Sequence, residues 1–351
     1  MFEHLYFTDR PLSTLKSGYD LGGDAIDLSG SSVISFGRVF GEGENDDDVD
    51  YQFMSKCRPG ENFAGCLDVE KEQLSGYPLF FRLLFDKLKD GSELLLFIHG
   101  YSHSFEKLTG TVARLHRRYV KNPLSPIKHV LVFSWPSAGN VSRYAYDRKV
   151  VETSCAHFLE FILELRRFAR QCLTEEERGS FFDRINLMAV SMGNYLLERV
   201  LQLGQLESDT DATFHEVLHM AADVDNRALH ESGGLGKLAK MAKRVHVYFN
   251  RNDHLLLVSS GLHRRSRLGK DPHKESLAPE ALIIDTTDVS VKALMAPGQF
   301  FSKEEMDYAT LHNYMLRVEA VVQDANRVLS HAPAQAIDGR SYGGGSLFYL
   351  G

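Results

Sequence analysis

Hydrophobic positions form short continuous runs that alternate with segments in which apolar residues recur every three or four positions. A run that is apolar at nearly every position is typical of a strand buried on both faces of a sheet. These runs predict strands at 94–98, 129–135, 185–190, 216–222, 245–249 and 281–285.

Segments with helical spacing lie between and after these strands. They predict helices at 105–120, 151–173, 194–203, 235–244 and 312–330. Alternation of buried strands with amphipathic helices predicts an α/β fold, in which helices cover both faces of a mostly parallel, twisted sheet.

The two ends of the chain differ from this alternating core, which we place at residues 91–331. Within residues 1–90, positions 5–10 and 31–40 predict strands added at one edge of the sheet. Residues 41–76 show little periodicity and include the acidic run 41–50, which predicts a solvated loop that could serve as a lid. Residues 332–351 are rich in glycine and predict a flexible tail.

Composition narrows the class of protein. The chain has 351 residues, 43% of them hydrophobic, and a net charge of −7, which predicts neither nucleic-acid binding nor attraction to an anionic membrane. The basic run 263–270 is the one local exception and predicts a solvated loop. No apolar run approaches the length of a membrane span, and residues 1–12 do not resemble a signal peptide. We expect a soluble, cytoplasmic protein, with its oligomeric state left open.

The four cysteines form no metal-binding or redox pattern. Cys57, Cys66, Cys155 and Cys172 are widely spaced, without a C-x-x-C pair or a histidine cluster. We expect free thiols in a reducing compartment and no bound metal, with a Cys57–Cys66 disulfide as the alternative.

Ser191 lies where a predicted strand ends and a helix begins, in the stretch Ala189-Val190-Ser191-Met192-Gly193. This strand–turn–helix resembles the nucleophile elbow, G-x-S-x-G, of the alpha/beta-hydrolase superfamily. Ala189 departs from the pattern by one methyl group. The resemblance implies that Ser191 is a nucleophile and that the oxyanion hole uses the backbone N–H groups of Met192 and of Tyr101, which follows the strand at 94–98.

The superfamily also implies a chain order of serine, acid and histidine. His312, at the start of the last predicted helix, is the better candidate for the base, and His331 beyond that helix is the alternative. Asp253 follows a strand at the predicted catalytic edge and is the favoured acid. Asp223 and Asp225 follow the preceding strand and remain candidates.

Several blocks of the chain are similar, in order, to one bacterial family of poorly characterised alpha/beta hydrolases. They are FTDR, ISFG, FIHGYSHSF, VFSWPS, YDR, AVSMGN, YFNRND and LHNYM, between Phe7 and Met315. Ser102 stands where this resemblance leads us to expect an asparagine. The substrates of the family are unsettled.

These features predict a serine hydrolase that cleaves a small-molecule carboxylic ester through an acyl-enzyme intermediate, without a cofactor. The same triad would also suit a lactonase, including one for macrolide-type cyclic esters, a thioesterase or an amidase. A non-catalytic binding module with the hydrolase fold is a further alternative.

The predicted substrate pocket draws on two loops that follow strands. Gly100 and Ser102 lie in the first loop, and Trp135, Tyr144 and Tyr146 lie in or just after the second. These aromatic side chains could line an acyl or alcohol site, or could pack beneath the loop. Residues 259–276 are the other candidate for a lid.

Overall fold

The computed structural model describes residues 1–11, 13–15, 18–20, 33–46, 48–204, 212–273, 281–295 and 311–351. An 11-stranded sheet formed by these residues runs through the molecule. Its strands are β1 (Phe2–Thr8), β4 (Ser35–Gly41), β5 (Val49–Lys56), β6 (Glu93–Ile98), β7 (Ile127–Ser134), β8 (Ile185–Val190), β9 (Phe214–Met220), β10 (Ala242–Phe249), β11 (Ala281–Asp285), β12 (Arg340–Gly344) and β13 (Leu347–Leu350). The short strands β2 (Ser13–Leu15) and β3 (Gly18–Asp20) pair separately.

The order across the large sheet is β12-β13-β11-β10-β9-β8-β6-β7-β1-β4-β5. The eight central strands, β13-β11-β10-β9-β8-β6-β7-β1, are all parallel to one another. At one edge β12 pairs with β13 in antiparallel fashion, and at the other edge β4 and β5 continue the sheet by antiparallel pairing. A mostly parallel sheet with antiparallel edge strands confirms the predicted α/β class.

Helices cover both faces of the sheet. In the part of the chain that the structure describes, they are α1 (Gly76–Leu88), α2 (Phe105–Leu115), α3 (Tyr144–Cys172), α4 (Glu175–Phe182), α5 (Met192–Gln202), α6 (His254–His263), α7 (Thr287–Leu294), α8 (Tyr314–Arg317) and α9 (Glu319–Leu329). Helices α1, α3 and α5 pack on one face, and α2 and α9 pack on the other.

The central strands divide their side chains between two cores. In β6, Leu94, Leu96 and Ile98 join the core under α1, α3 and α5, whereas Leu95 and Phe97 join the opposite core. Every position of the strand is therefore buried, which explains why its sequence is a continuous apolar run.

The N-terminal prediction of edge strands agrees with the sheet, although residues 31 and 32 lie outside the described part. β1 lies between β7 and β4, and β4 pairs with β5. The prediction of a loop throughout 41–76 was wrong for 49–56, because β5 is an edge strand whose residues are all at least partly exposed. Such a strand has no alternating hydrophobic pattern to detect.

The prediction of a flexible tail at 332–351 was also wrong for 340–350. Leu347, Phe348 and Leu350 are buried, and β13 pairs in parallel with β11. Glycines at 343–345 form the bulged connection to β12, so their abundance marks a turn between strands.

Three helix predictions needed correction. Helix α3 begins seven residues before the predicted start at 151, because its first two turns are polar. Residues 236–240 form a 3₁₀ turn and β10 already begins at Ala242, in place of a helix at 235–244. The last predicted helix is interrupted at Val318, whose φ of −94° and ψ of 110° are extended.

None of the helices in the described residues combines the length and apolar composition of a membrane span. The four cysteines are free thiols, so the alternative Cys57–Cys66 disulfide is not formed.

Candidate active site

Ser191 is held at the turn between β8 and α5 with φ of 53° and ψ of −121°. A non-glycine residue in such a conformation costs roughly 1–3 kcal/mol, which the surrounding contacts must offset. The Ser191 N–H donates to the Met220 carbonyl at 2.9 Å, and the buried Asn194 amide donates to the Ala189 carbonyl at 2.8 Å. These bonds fix the turn, and Ser191 faces a cavity at the carboxyl ends of the strands.

Close packing around the turn requires glycine at two positions. A Cβ atom on Gly193 would lie 2.6 Å from the Ile98 carbonyl oxygen and 2.8 Å from that of His99. A Cβ atom on Gly100 would lie 2.9 Å from the Ser191 Cβ atom. The tight contact of Gly193 is thus with the end of β6 and with His99.

His312 and Asp253 form a buried pair beside this turn. The His312 Nδ1 atom lies 2.7 Å from Asp253 Oδ2, and the second carboxylate oxygen accepts the Leu256 N–H at the start of α6. Burial alone would lower the pKa of His312, but the charge and hydrogen bond of Asp253, together with the charge of Asp223, raise it. Asp253 therefore orients the imidazole and stabilises its protonated form.

The other two candidate acids have different partners. Asp223 accepts hydrogen bonds from the hydroxyl groups of Tyr144 at 2.7 Å and Ser259 at 2.5 Å. Asp225 lies at the protein surface, where Arg265 donates to it at 3.0 Å. The structure thus brings Asp253 to the imidazole of His312, and Asp223 and Asp225 bond elsewhere.

His331, the alternative base, lies at the opposite end of the sheet. Its Nδ1 and Nε2 atoms are each 3.0 Å from a carboxylate, of Glu216 in β9 and Glu93 at the start of β6. Burial alone would lower the pKa of His331, but these hydrogen bonds raise it to about 9. This histidine links two strands far from Ser191.

His215, Glu216 and His331 are grouped closely enough to suggest metal ligands, with ligand atoms within 4.8 Å of one another. However, the rings of His215 and His331 stack with centroids 3.7 Å apart and an interplanar angle of 10°. A metal ion bound by imidazole lies near the ring plane at about 2.0–2.1 Å from the nitrogen. While the two imidazole rings are stacked, one ion cannot lie in the planes of both of them. This arrangement therefore suits a proton on His331, held between the two carboxylates, and not a metal ion.

The loop that carries Tyr101 is fixed by contacts on both sides. The indole of Trp135 stacks on His99, with centroids 4.9 Å apart, and donates to the His99 carbonyl at 2.9 Å. Ser102 has a φ of 60°, and its N–H donates to Asp147 at 3.0 Å. On the other side of the site, Met192 is the first residue of α5, where backbone N–H groups have no intrahelical partner.

Two cavities meet at the candidate site and share Tyr101, Val141, Ser191, Leu255 and His312. We call them the larger lobe, of about 690 Å³, and the smaller lobe, of about 220 Å³. Small-molecule sites are typically clefts of a few hundred to about 1,000 Å³. The space in front of Ser191 therefore has the size of a site for a small organic ligand.

The five residues predicted for the pocket divide into two groups. Gly100 and Ser102 line the larger lobe, and Tyr144 lines the smaller one. Trp135 does not line either lobe, because it is fully buried beneath the loop. Tyr146 also points elsewhere, and the Arg143 guanidinium lies 3.9 Å from its ring centroid.

Of the two segments considered as lids, only one contributes to these lobes in its described part. Ser259 and Leu262 line the smaller lobe, whereas residues 274–276 lie outside the described residues. The described part of 41–76 lines neither lobe, and its Phe63 and Cys66 pack in the core under α1 and α3.

Two charged residues that support the site had no role assigned from the sequence. Asp147 accepts hydrogen bonds from Ser102, Ser137 and Ala138, so it ties together the loops after β6 and β7. Arg10 donates to the His103 carbonyl at 2.7 Å and supports the same loop. Arg10 belongs to the block FTDR and Asp147 to the block YDR, both of which carried the family resemblance. Nothing else in the sequence indicated that these two residues support the site.

The parallel sheet, the strained serine after β8 and the histidine–aspartate pair define an alpha/beta hydrolase fold. A family model described as alpha/beta hydrolase of unknown function (DUF900) matches residues 82–313, and the chain belongs to this family. The superfamily suggested by the sequence is thereby confirmed, and membership indicates a hydrolase. No curated protein and no solved structure was found to match the chain.

Proposed function

We propose that this protein is a serine hydrolase that cleaves a carboxylic ester through an acyl-enzyme intermediate. Ser191 is the nucleophile, His312 the general base and Asp253 the acid that orients the base. The observation that carries this proposal is the 2.7 Å contact between His312 and Asp253, beside a strained serine that faces the same cavity as His312.

The reaction begins when Ser191 Oγ attacks the ester carbonyl carbon while its proton passes to His312 Nε2. The tetrahedral intermediate then collapses, the bond between the carbonyl carbon and the alcohol oxygen breaks, and the departing alcohol takes the proton from His312. Water repeats the sequence on the acyl-enzyme, with His312 again as base, and releases the acid.

Charge develops on the carbonyl oxygen during both steps. The backbone N–H groups of Tyr101 and Met192 would donate hydrogen bonds to this oxyanion, and removal of one such donor typically costs about 3–4 kcal/mol. The imidazolium formed at the same time is stabilised by Asp253. The raised pKa of His312, which Asp253 and Asp223 produce against the effect of burial, favours this proton transfer.

A fluorophosphonate probe tests the proposal because it forms a covalent bond only with an activated serine. We expect labelling of the purified protein at Ser191, its loss in Ser191→Ala, and a fall in kcat for nitrophenyl esters of several orders of magnitude. Ser330→Ala, which removes an exposed serine, is the matched control and should keep both labelling and activity. Folded protein that is neither labelled nor active would favour a binding module.

A further inference from the structure

The larger lobe has mostly apolar walls. Phe97, Val190, Met315 and Leu316 line it and are exposed by only 2%, 5%, 0% and 8%. Some polar side chains in its wall are already engaged, as in Lys107, whose ammonium donates to the Gly139 carbonyl at 2.9 Å. This lobe therefore favours a hydrocarbon group that has no need of hydrogen bonds.

The smaller lobe has a polar floor. Asp223, Tyr144 and Ser259 line it, and both hydroxyl groups donate to the Asp223 carboxylate. A carboxylate can accept about four hydrogen bonds, so Asp223 keeps capacity for further donors. The Tyr144 hydroxyl also contacts Ser259 Oγ and His263 Nε2, each at 3.1 Å, so the remaining capacity for a ligand lies mainly with Asp223. This lobe therefore presents a set of groups suited to a hydroxylated ligand.

A second observation is a buried arginine beside Asp223, some of whose N–H groups lack hydrogen-bond acceptors among the described residues. Arg267 is 4% exposed, and its Nε and Nη2 atoms have no hydrogen-bond partner in the described part of the chain. Its Nε atom lies 3.5 Å from Asp223, too far for a good hydrogen bond. Asp223 thus lies in the wall of the lobe, with the charge of Arg267 beside it and with room to accept further hydrogen bonds.

Both lobes reach solvent, because Val141, which lines both of them, is 71% exposed. Val258 and Leu262, which line the smaller lobe, are 61% and 64% exposed. The part of an ester that leaves first is the alcohol, and the acyl part stays bound to the serine. The smaller lobe, with its polar floor, suits the departing alcohol, and the larger apolar lobe suits the acyl chain.

We propose that the substrate is an ester of an apolar acid with a polyhydroxylated alcohol, with the acyl chain in the larger lobe and the alcohol against Asp223, Tyr144 and Ser259. This inference rests on the proposed function. The physical reason is that an alcohol with no hydroxyl group besides the esterified one would cover the polar floor without using the remaining acceptor capacity of Asp223.

The full-length protein can be tested with two esters that share an acyl chain, 1-octanoylglycerol and ethyl octanoate, both below their solubility limits. Release of octanoate gives kcat/KM for each. We expect the glycerol ester to be favoured by about tenfold or more, as two hydrogen bonds of ordinary strength would provide.

Variants separate the two lobes. Tyr144→Phe and Ser259→Ala should each reduce the ratio of kcat/KM for the glycerol ester to that for the ethyl ester by about threefold to tenfold. Tyr349→Phe, a partly exposed tyrosine in β13, is the matched control and should leave the ratio unchanged. Leu316→Trp should lower hydrolysis of octanoylglycerol relative to butanoylglycerol by about tenfold, because it fills the larger lobe.

A wild-type ratio at or below one, or a ratio that neither Tyr144→Phe nor Ser259→Ala changes, would overturn the inference. A preference for hydroxylated acids joined to apolar alcohols would do the same. Fluorophosphonate labelling of Ser191 distinguishes the two proposals: labelled protein without a glycerol preference rejects only this one, and unlabelled protein that cleaves neither ester rejects both.

Discussion

Asp253 acts on His312 through its charge and through a hydrogen bond of 2.7 Å. A base must be unprotonated to accept the serine proton, so a raised pKa moves the loss of activity at acidic pH to a higher pH. In the proposed mechanism, the residue that orients the ring would therefore also set the lower limit of the pH range for hydrolysis.

Asp253→Asn should lower kcat by up to about 10⁴-fold, because the amide no longer holds the correct tautomer. It should also move the acid limb of kcat/KM to lower pH, since loss of the carboxylate charge lowers the pKa of His312. A pH profile of ester hydrolysis measures both effects. Asp225→Asn, whose carboxylate bonds to Arg265, should retain the wild-type profile. If the acid limb of kcat/KM stayed at the same pH in Asp253→Asn, Asp253 would not be what raises the pKa of His312.

Gly193→Ala should abolish most activity, since its Cβ atom would lie 2.6 Å from the Ile98 carbonyl oxygen and would force β6 and the Ser191 turn apart. Urea unfolding and ester hydrolysis measure the effect, which we expect to reach about 2–3 kcal/mol in stability. Gly179→Ala is the matched control. It lies within α4 with no atom within 4 Å of an added Cβ and should raise stability by about 0.5–1 kcal/mol. Equal behaviour of the two variants would refute the steric argument.

Among the secondary-structure elements, those buried on both faces could be predicted from the sequence and those at the edges could not. β8 is buried at each of its positions, and its run of apolar residues marks it clearly. β12, by contrast, is exposed at most positions and contains two glycines. Its place in the sheet depends on pairing with β13, which a hydrophobic pattern does not encode.

The break between α8 and α9 shows a second limit of pattern analysis. The apolar stripe continues through Val318, but the Met315 and Leu316 carbonyls accept hydrogen bonds from the side chains of Tyr119 and Arg118. Those partners are almost 200 residues away in sequence. The elbow motif, the strand ends and the chain order were enough to propose Ser191, Asp253 and His312 as a triad, whereas supporting contacts of this long-range kind were beyond prediction.

His331 bridges the elements β6 and β9 by accepting a proton at a pKa of about 9. Because the pKa is raised in the folded state, this contribution is complete below the unfolded value of about 6.5 and is lost as pH rises through 9. His331→Gln should therefore cost on the order of 2–3 kcal/mol at pH 6 and much less at pH 10. Denaturant unfolding at the two pH values measures this difference, and a loss that is the same at both would exclude the bridge.

At the scale of the whole molecule, the sheet separates two groups of charged residues. The candidate site lies at the carboxyl ends of the strands, and the cluster of Glu93, Glu216 and His331 lies towards the amino ends. A third charged contact joins β12, at the edge of the sheet, to α9. Arg340 in β12 donates twice to Asp324 in α9, at 2.6 and 2.8 Å, with both side chains 1% exposed.

Arg340→Met should cost about 3–5 kcal/mol, since it leaves the Asp324 carboxylate buried without its cation. Adding Asp324→Leu to this variant should recover much of the loss, because the unpaired charge is then removed. Urea unfolding of the single and double variants measures the coupling between these residues. If the losses of unfolding free energy from the two substitutions simply added, the ion pair would not stabilise the edge of the sheet.

The pairing of β13 with β11 also sets an order of events during translation. Residues 286–346 separate the two strands, so β11 emerges from the ribosome well before the strand that covers it. At about 5–20 residues per second, the nascent chain carries an uncovered parallel edge for about 3–12 seconds. An edge of this kind can pair with other chains, and it is during this interval that chaperones would have most to protect.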